Sequence, residues 1–288
     1  MLIKKADSQA KAEIYQLWKT YFAFDDEGYT DYYFTNVYDQ AASYLLLEKG
    51  EIISCLQVLT NTMTINQEPL KYDFVVGVVT KQEYRHQGCF KLLWQTVVTQ
   101  LCSPVVLLDA YQPEIYHHLG FSDLYYHKRI TVIPREMDLS TFSFEKASQA
   151  AELLQLYQEF CADKNGARQR DVAYYRNKAE LFTLMKRETV IIKRNGLPQG
   201  YFVFQETAEA YKIEELIYTE KEVAQAAMHY FAGDDKAIEV RLSADDDCLQ
   251  AWTVKEEALP ATQGLFLQPD IIDKADFEKK RLFFNEYD

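Results

Sequence analysis

Apolar residues recur along this chain in two rhythms, one of helices and one of strands. Residues 10–22 place Ile14, Leu17, Trp18 and Phe22 on one face at helical spacing. Residues 44–59 read as two strands around a Lys49-Gly50 turn, and residues 61–65 and 71–80 as a second pair. The apolar run 74–79 ends in a polar turn. After it, Phe90, Leu92, Leu93, Trp94, Val97 and Val98 predict a helix. A strand at 105–108, a short helical stretch ending at Gly120 and a strand at 125–132 complete the first half. Residues 134–140 read as a linker. The second half repeats the plan more weakly. Residues 146–163 and 172–186 are helical, and 189–204 form a hairpin around Asn195-Gly196. Strand 211–218 runs directly into helix 221–231, and strand 238–242 follows. The pattern predicts mixed α/β domains (α+β, mixed sheet) in tandem, spanning residues 1–135 and 141–288.

The strand–turn–helix passage at 74–98 carries the first chemical signal. Arg85-His86-Gln87-Gly88 stands at the start of the helix. The first backbone N–H groups of a helix are unpaired and carry partial positive charge, so they attract anions. Gly88 permits close approach of the backbone, and Arg85 offers a forked donor at the rim. No Walker loop and no G-x-G-x-x-G is present. Between the strand and helix of the second half stand Thr219-Glu220-Lys221-Glu222, with no glycine and two acids. A diphosphate would be repelled there.

The segment Arg85-His86-Gln87-Gly88-Cys89-Phe90 resembles the acetyl-CoA loop of the GNAT N-acetyltransferases, [Q/R]-x-x-G-x-[G/A], with Phe90 where Gly or Ala is usual. Downstream, Ile115-Tyr116-His117-His118-Leu119-Gly120-Phe121 is similar to the F-Y-x-x-x-G-F segment of that family. Gly77-Val78-Val79-Thr80 and the Phe/Asp/Tyr-rich stretch 22–34 narrow the resemblance to the two-domain Eis-type (enhanced intracellular survival) enzymes. Gln82 departs from the usual proline before the tyrosine. Longer members carry a third, sterol-carrier-like domain, which is not expected in the 288 residues here.

The resemblance implies tandem GNAT-like acyl-CoA N-acyltransferase domains, the first catalytic and the second without a cofactor loop. Acetyl-CoA would be the co-substrate, held by Arg85, His86, Gln87, Gly88, Cys89 and Phe90. Backbone at Val78, Val79 and Thr80 would line the pantetheine arm and supply a donor to the carbonyl oxygen. Tyr116 would protonate the leaving thiolate. Asp25, Asp26 and Glu27 border the acceptor site by the same resemblance, and clustered carboxylates can hold a cationic amine. A solvated acidic loop is the plainer meaning of such a run. Cys89 reads better as a small apolar spacer than as an acyl carrier, since direct transfer needs no covalent intermediate. The expected acceptor is a primary amine on a small molecule or peptide. A non-catalytic acyl-CoA-binding sensor is the alternative.

Charge and composition limit the rest. Net charge is -13, which speaks against general nucleic-acid binding and permits steering of cationic amines. The five cysteines form no C-x-x-C pair, so neither a disulfide framework nor a zinc site is expected. No run of ~18 apolar residues and no signal-peptide core is visible, so the expectation is a cytoplasmic protein without a membrane span or metal. The second half is expected to wall the acceptor site or to form a homo-oligomer contact. The apolar run Gly264-Leu265-Phe266-Leu267 fits either use.

Overall fold

The computed structural model describes residues 1–22, 28–280 and 283. The chain divides into two compact units that interleave in sequence. The first comprises Met1–Thr62, Lys71–Leu124 and Thr262–Lys274; the second comprises Met63–Leu70, Tyr125–Ala261 and Ala275–Asp288.

In the first unit the elements run β1 (Leu2–Lys5), α1 (Ala10–Tyr21), α2 (Tyr29–Asn36), β2 (Ser43–Glu48), β3 (Glu51–Ile65), β4 (Glu68–Thr80), α3 (Cys89–Val98), β5 (Val105–Asp109) and α4 (Glu114–His117). The sheet order is β1-β2-β3-β4-β5, followed by residues 262–266, which pair antiparallel with β5. The expected strands at 51–59 and 61–65 are one continuous strand. The β2–β3 turn has Lys49 and Gly50 at positive φ, and the β3–β4 turn has Asn66 and Gln67 there. Two positive φ values in a row match the twist of a tight hairpin.

Helices cover both faces of this sheet. Ile14, Leu17 and Trp18 of α1 pack with Phe34 of α2 on Leu45, Ile52, Cys55 and Val79. Leu93, Trp94 and Val97 of α3 pack on Val75, Val106 and Leu108 from the other side. Leu265 and Leu267 join this second core. Strand pairing with β5 therefore accounts for the 264–267 run, and no oligomer contact is needed to explain it.

Trp18 also fixes β4. Gly77 has φ +61, and a Cβ built there would lie 1.9 Å from the Trp18 indole. Gly77→Ala combines left-handed strain with a forced clash, so a destabilisation of roughly 2–5 kcal/mol is expected. Thermal melts of Gly77→Ala, Trp18→Leu and the double variant check the cause. The double variant should cost less than the sum of the singles. Simple additivity would remove the contact as the reason.

In the second unit the elements are β6 (Ser122–Val132), β7 (Phe142–Lys146), α5 (Ala150–Cys161), β8 (Ala167–Arg168), α6 (Val172–Leu184), β9 (Arg187–Arg194), β10 (Leu197–Glu206), β11 (Ala210–Tyr218), α7 (Lys221–Met228), β12 (Ala237–Ser243), β13 (Thr253–Phe266) and α8 (Lys274–Glu278). The first three residues of β6, Ser122, Asp123 and Leu124, belong to the first unit. Strand order is β6-β12-β11-β10-β9-β7. The Asn195-Gly196 turn joins β9 to β10 with both residues at positive φ. Helices α5 and α6 pack on one sheet face and α7 on the other.

Each unit holds a strand–helix–parallel-strand crossover, β4-α3-β5 in one and β11-α7-β12 in the other. In each, the parallel pairing is short. It covers Tyr72–Phe74 against Val105–Leu107, although β4 runs on to Thr80. It covers Ala210–Ile213 against Ala237–Val240, although β11 runs on to Tyr218. The strands separate beyond these points, toward the start of the crossover helix. Among the described residues, no helix is long and apolar enough to cross a membrane.

Candidate active site

The Arg85–Phe90 loop leads from β4 into α3 by a short 3-10 turn at Gln82–Tyr84. Lys81 N–H donates to the Ile53 carbonyl at 2.9 Å, which anchors the end of β4. His86 has φ +60 and Gly88 φ +77, so the backbone turns sharply before the helix. Gly88 is the N-cap of α3 and offers no side-chain cap. The first helical bond runs from Leu92 N–H to the Gly88 carbonyl at 2.9 Å. The N–H groups before Leu92 therefore have no acceptor within the helix. A Cβ at Gly88 would meet nothing within 4 Å, so the space over this turn is open.

The side chains of the loop divide by role. Arg85 Nε donates to the Thr80 carbonyl at 3.1 Å, and its guanidinium lies 5.0 Å from the centre of the Tyr21 ring. Gln87 Nε2 donates to the Glu83 carbonyl at 2.7 Å, which braces the loop from within. His86 is exposed. Cys89 is buried in the α3 core, and burial pushes its thiol up, with the Glu48 carboxylate adding to the shift. A thiol held protonated is a poor nucleophile.

Phe90 is half-buried and meets Tyr116 edge to face, with centroids 5.6 Å apart. Tyr116 stands on α4 and also meets Phe121 at 6.0 Å. Burial pushes the Tyr116 hydroxyl up to about 12. It therefore keeps its proton across the neutral range. Beside it on α4, His117 Nε2 lies 3.0 Å from Asp123 Oδ1, an oxygen that also accepts from Gln263 Nε2 at 3.1 Å. The His117 hydrogen bond holds the Asp123 carboxyl below its ordinary range, and the Gln263 bond adds to the effect.

On β4, Val78 faces the α3 core and Val79 the α1–α2 core, as strand alternation requires. The Ser54 hydroxyl donates to the Val79 carbonyl at 2.9 Å and lies 2.8 Å from the Thr80 hydroxyl. Asp25, Asp26 and Glu27 lie outside the described residues. The fold thus brings Thr80, Arg85, Gly88, Phe90 and Tyr116 to one end of the first unit. It also adds a residue that sequence reading missed. The Tyr21 hydroxyl accepts the Gln82 N–H at 2.9 Å, and its ring supports Arg85. A contact across that sequence separation leaves no local trace.

Residues 2–123 match the acetyltransferase (GNAT) domain family. The chain carries a GNAT acetyltransferase domain. That domain is of the acetyltransferase type, and GNAT enzymes use acetyl-CoA as co-substrate. No curated protein matches the sequence. Among solved structures, the fold is similar to a probable N-acyltransferase of Enterococcus faecalis V583, with TM-score 0.79 and 14% identity over 93% of this chain and 73% of that one. It is also similar to a GCN5-related N-acetyltransferase of Kribbella flavida, with TM-score 0.75 and 16% identity over 93% and 72%. Eis1 of Mycobacterium abscessus gives TM-score 0.70 and 14% identity over 94% and 75%. The fold over most of the chain is thus shared with an Eis protein. Among the described residues of the GNAT-domain chain, no group of three His, Cys, Asp or Glu side chains could hold a metal ion.

Proposed function

We infer that this enzyme transfers acetyl from acetyl-CoA to a primary amine, by direct attack in a ternary complex built on the first unit. The observation that carries the reading is the contact between Phe90 and Tyr116. It joins the uncapped start of α3 to a half-buried phenol that keeps its proton. The fit to the donor is physical. The turn at Gly88 is open, and the helix start offers unpaired N–H groups with Arg85 at the rim. When bound, acetyl-CoA supplies an acyl group activated as a thioester.

The chain's own groups supply the rest. The N–H groups at the start of α3 hold diphosphate charge. Beyond Phe74 the edge of β4 has no β5 pairing, and backbone N–H groups near Val78, Val79 and Thr80 are our candidate donors to a developing oxyanion. Tyr116 keeps a proton at its hydroxyl for a departing thiolate. Tyr21 contacts the loop at the end of α1, and residues 23–27 follow almost directly. Asp25, Asp26 and Glu27 are on that ground our candidates to hold a cationic amine and relay its proton through water.

The second unit is read as binding no donor. Helix α7 starts at Glu220, which pairs with Arg194 at 3.1 Å, and Asp247 pairs with Lys221 at 2.7 Å. Asp246 accepts the Tyr218 hydroxyl at 2.8 Å. Carboxylates crowd this helix start, whereas the first unit presents Gly88. Titration of the full chain with acetyl-CoA is expected to give one site. Release of free CoA thiol is expected with at least one member of a panel of polyamines, aminoglycosides and lysine peptides. Two sites per chain would overturn the assignment of the second unit. Tight donor binding without thiol release on any amine would overturn the catalytic reading.

A further inference from the structure

Away from the donor loop, the second unit contains a cavity of about 430 Å³ between α5, α6 and the β9–β11 region of its sheet. Small-molecule sites span roughly 300–1,000 Å³. The sequence explains the room and its walls. The approach to α5 and its first turn bring the small side chains of Ala147, Ala150 and Ala151 to the lining, while α6 brings the rings of Tyr174, Tyr175 and Phe182.

Three lining residues, Tyr175, Tyr201 and Glu215, belong to one buried polar network. The Tyr201 hydroxyl donates its single proton to Glu215 Oε2 at 2.9 Å. The 3.0 Å contact between the Tyr175 and Tyr201 hydroxyls must then be donated by Tyr175. Arg170 Nη2 donates to Glu215 Oε1 at 2.8 Å, and both members of that ion pair are almost fully buried. The carboxylate charge is thus met by a guanidinium, and neither hydroxyl has a proton left for a guest. A polar guest gains nothing from this network without breaking a bond already made. The other lining charges are also accounted for. Lys178 is buried and engaged within the protein, with its Nζ 5.5 Å from the centre of the Tyr174 ring. Arg176 is exposed, so its charge stays with water. An ionised guest would leave water here without finding a partner, which is costly, whereas a neutral ring would meet aromatic walls.

We propose that this cavity binds a small neutral aromatic molecule, its ring against Tyr174, Tyr175 and Phe182. The second unit then carries a ligand site of its own, separate from the donor loop. Tryptophol, indole-3-acetate and gramine carry the same indole with no charge, a negative charge and a positive charge. Calorimetry on the full chain is expected to show tryptophol binding one to one. The two charged probes should bind at least about tenfold more weakly, because each is desolvated without a new partner. Phe182→Leu keeps an apolar side chain but removes a ring, and should weaken tryptophol by about two- to tenfold. Ala179 lines the cavity from an exposed position on α6, so Ala179→Phe should fill the space without disturbing the core. That variant should lose tryptophol, with melting curves confirming its fold. Equal or tighter binding of either charged probe would overturn the proposal. So would tryptophol affinity unchanged in Ala179→Phe or Phe182→Leu, or no binding at millimolar tryptophol. If a variant does not fold, the ranking of the three probes on the native chain decides.

Discussion

Gly88→Glu is expected to abolish acetyl-CoA binding while leaving the fold in place. The substitution puts a carboxylate where the uncapped start of α3 should hold diphosphate. Two like charges at 4 Å repel by about 4 kcal/mol at an effective dielectric near 20. Even half of that, set against a dianionic group, weakens binding by at least about a hundredfold. The variant also carries strain, because Gly88 has φ +77. Left-handed backbone costs a non-glycine residue about 1–2 kcal/mol. Gly88→Asn separates the two effects, since Asn tolerates this conformation and brings no charge. It should fold, and it should bind far better than Gly88→Glu. Circular dichroism and melting curves establish folding; calorimetry reads the affinity. If Gly88→Glu binds acetyl-CoA like the parent chain, the donor does not lie over this loop.

Tyr116→Phe is expected to lower kcat by roughly 10²–10⁴-fold with little change in acetyl-CoA affinity. The ring contacts to Phe90 and Phe121 survive the change, so packing is kept. Only the proton donor is lost. Burial sets the pH behaviour. With the hydroxyl pushed up to about 12, its loss of a proton lies above the working range of the enzyme. The alkaline limb of the parent's kcat profile should therefore come from another group. The same shift has a stability consequence. The free phenol titrates near ~10, so the stability tied to this proton is complete below that pH and is lost as pH rises toward 12. Single-turnover kinetics give the chemical step directly. A Tyr116→Phe enzyme that turns over at the parent rate in that step would reduce Tyr116 to a packing residue.

Local chemistry made much of this protein readable in its sequence. The period of Ile14, Leu17 and Trp18 marked α1, and the strand, turn and helix around Gly88 marked an anion site, because capping and backbone freedom act within a few residues. The Asn195-Gly196 hairpin was visible for the same reason. The acids at the start of α7 likewise set the second half apart from the first. What the tertiary structure decided involves partners far apart in the chain. Residues 262–266 complete the first unit beside β5, and Tyr21 supports the donor loop from α1. Gly77 is required by an indole from another element, and Phe90 reaches Tyr116 across the sheet's end. In the second unit, Arg170 in the loop before α6 pairs with Glu215 on β11. Such contacts form only when strands pair and cores close, and the residues that make them carry no mark of it in their neighbours along the chain.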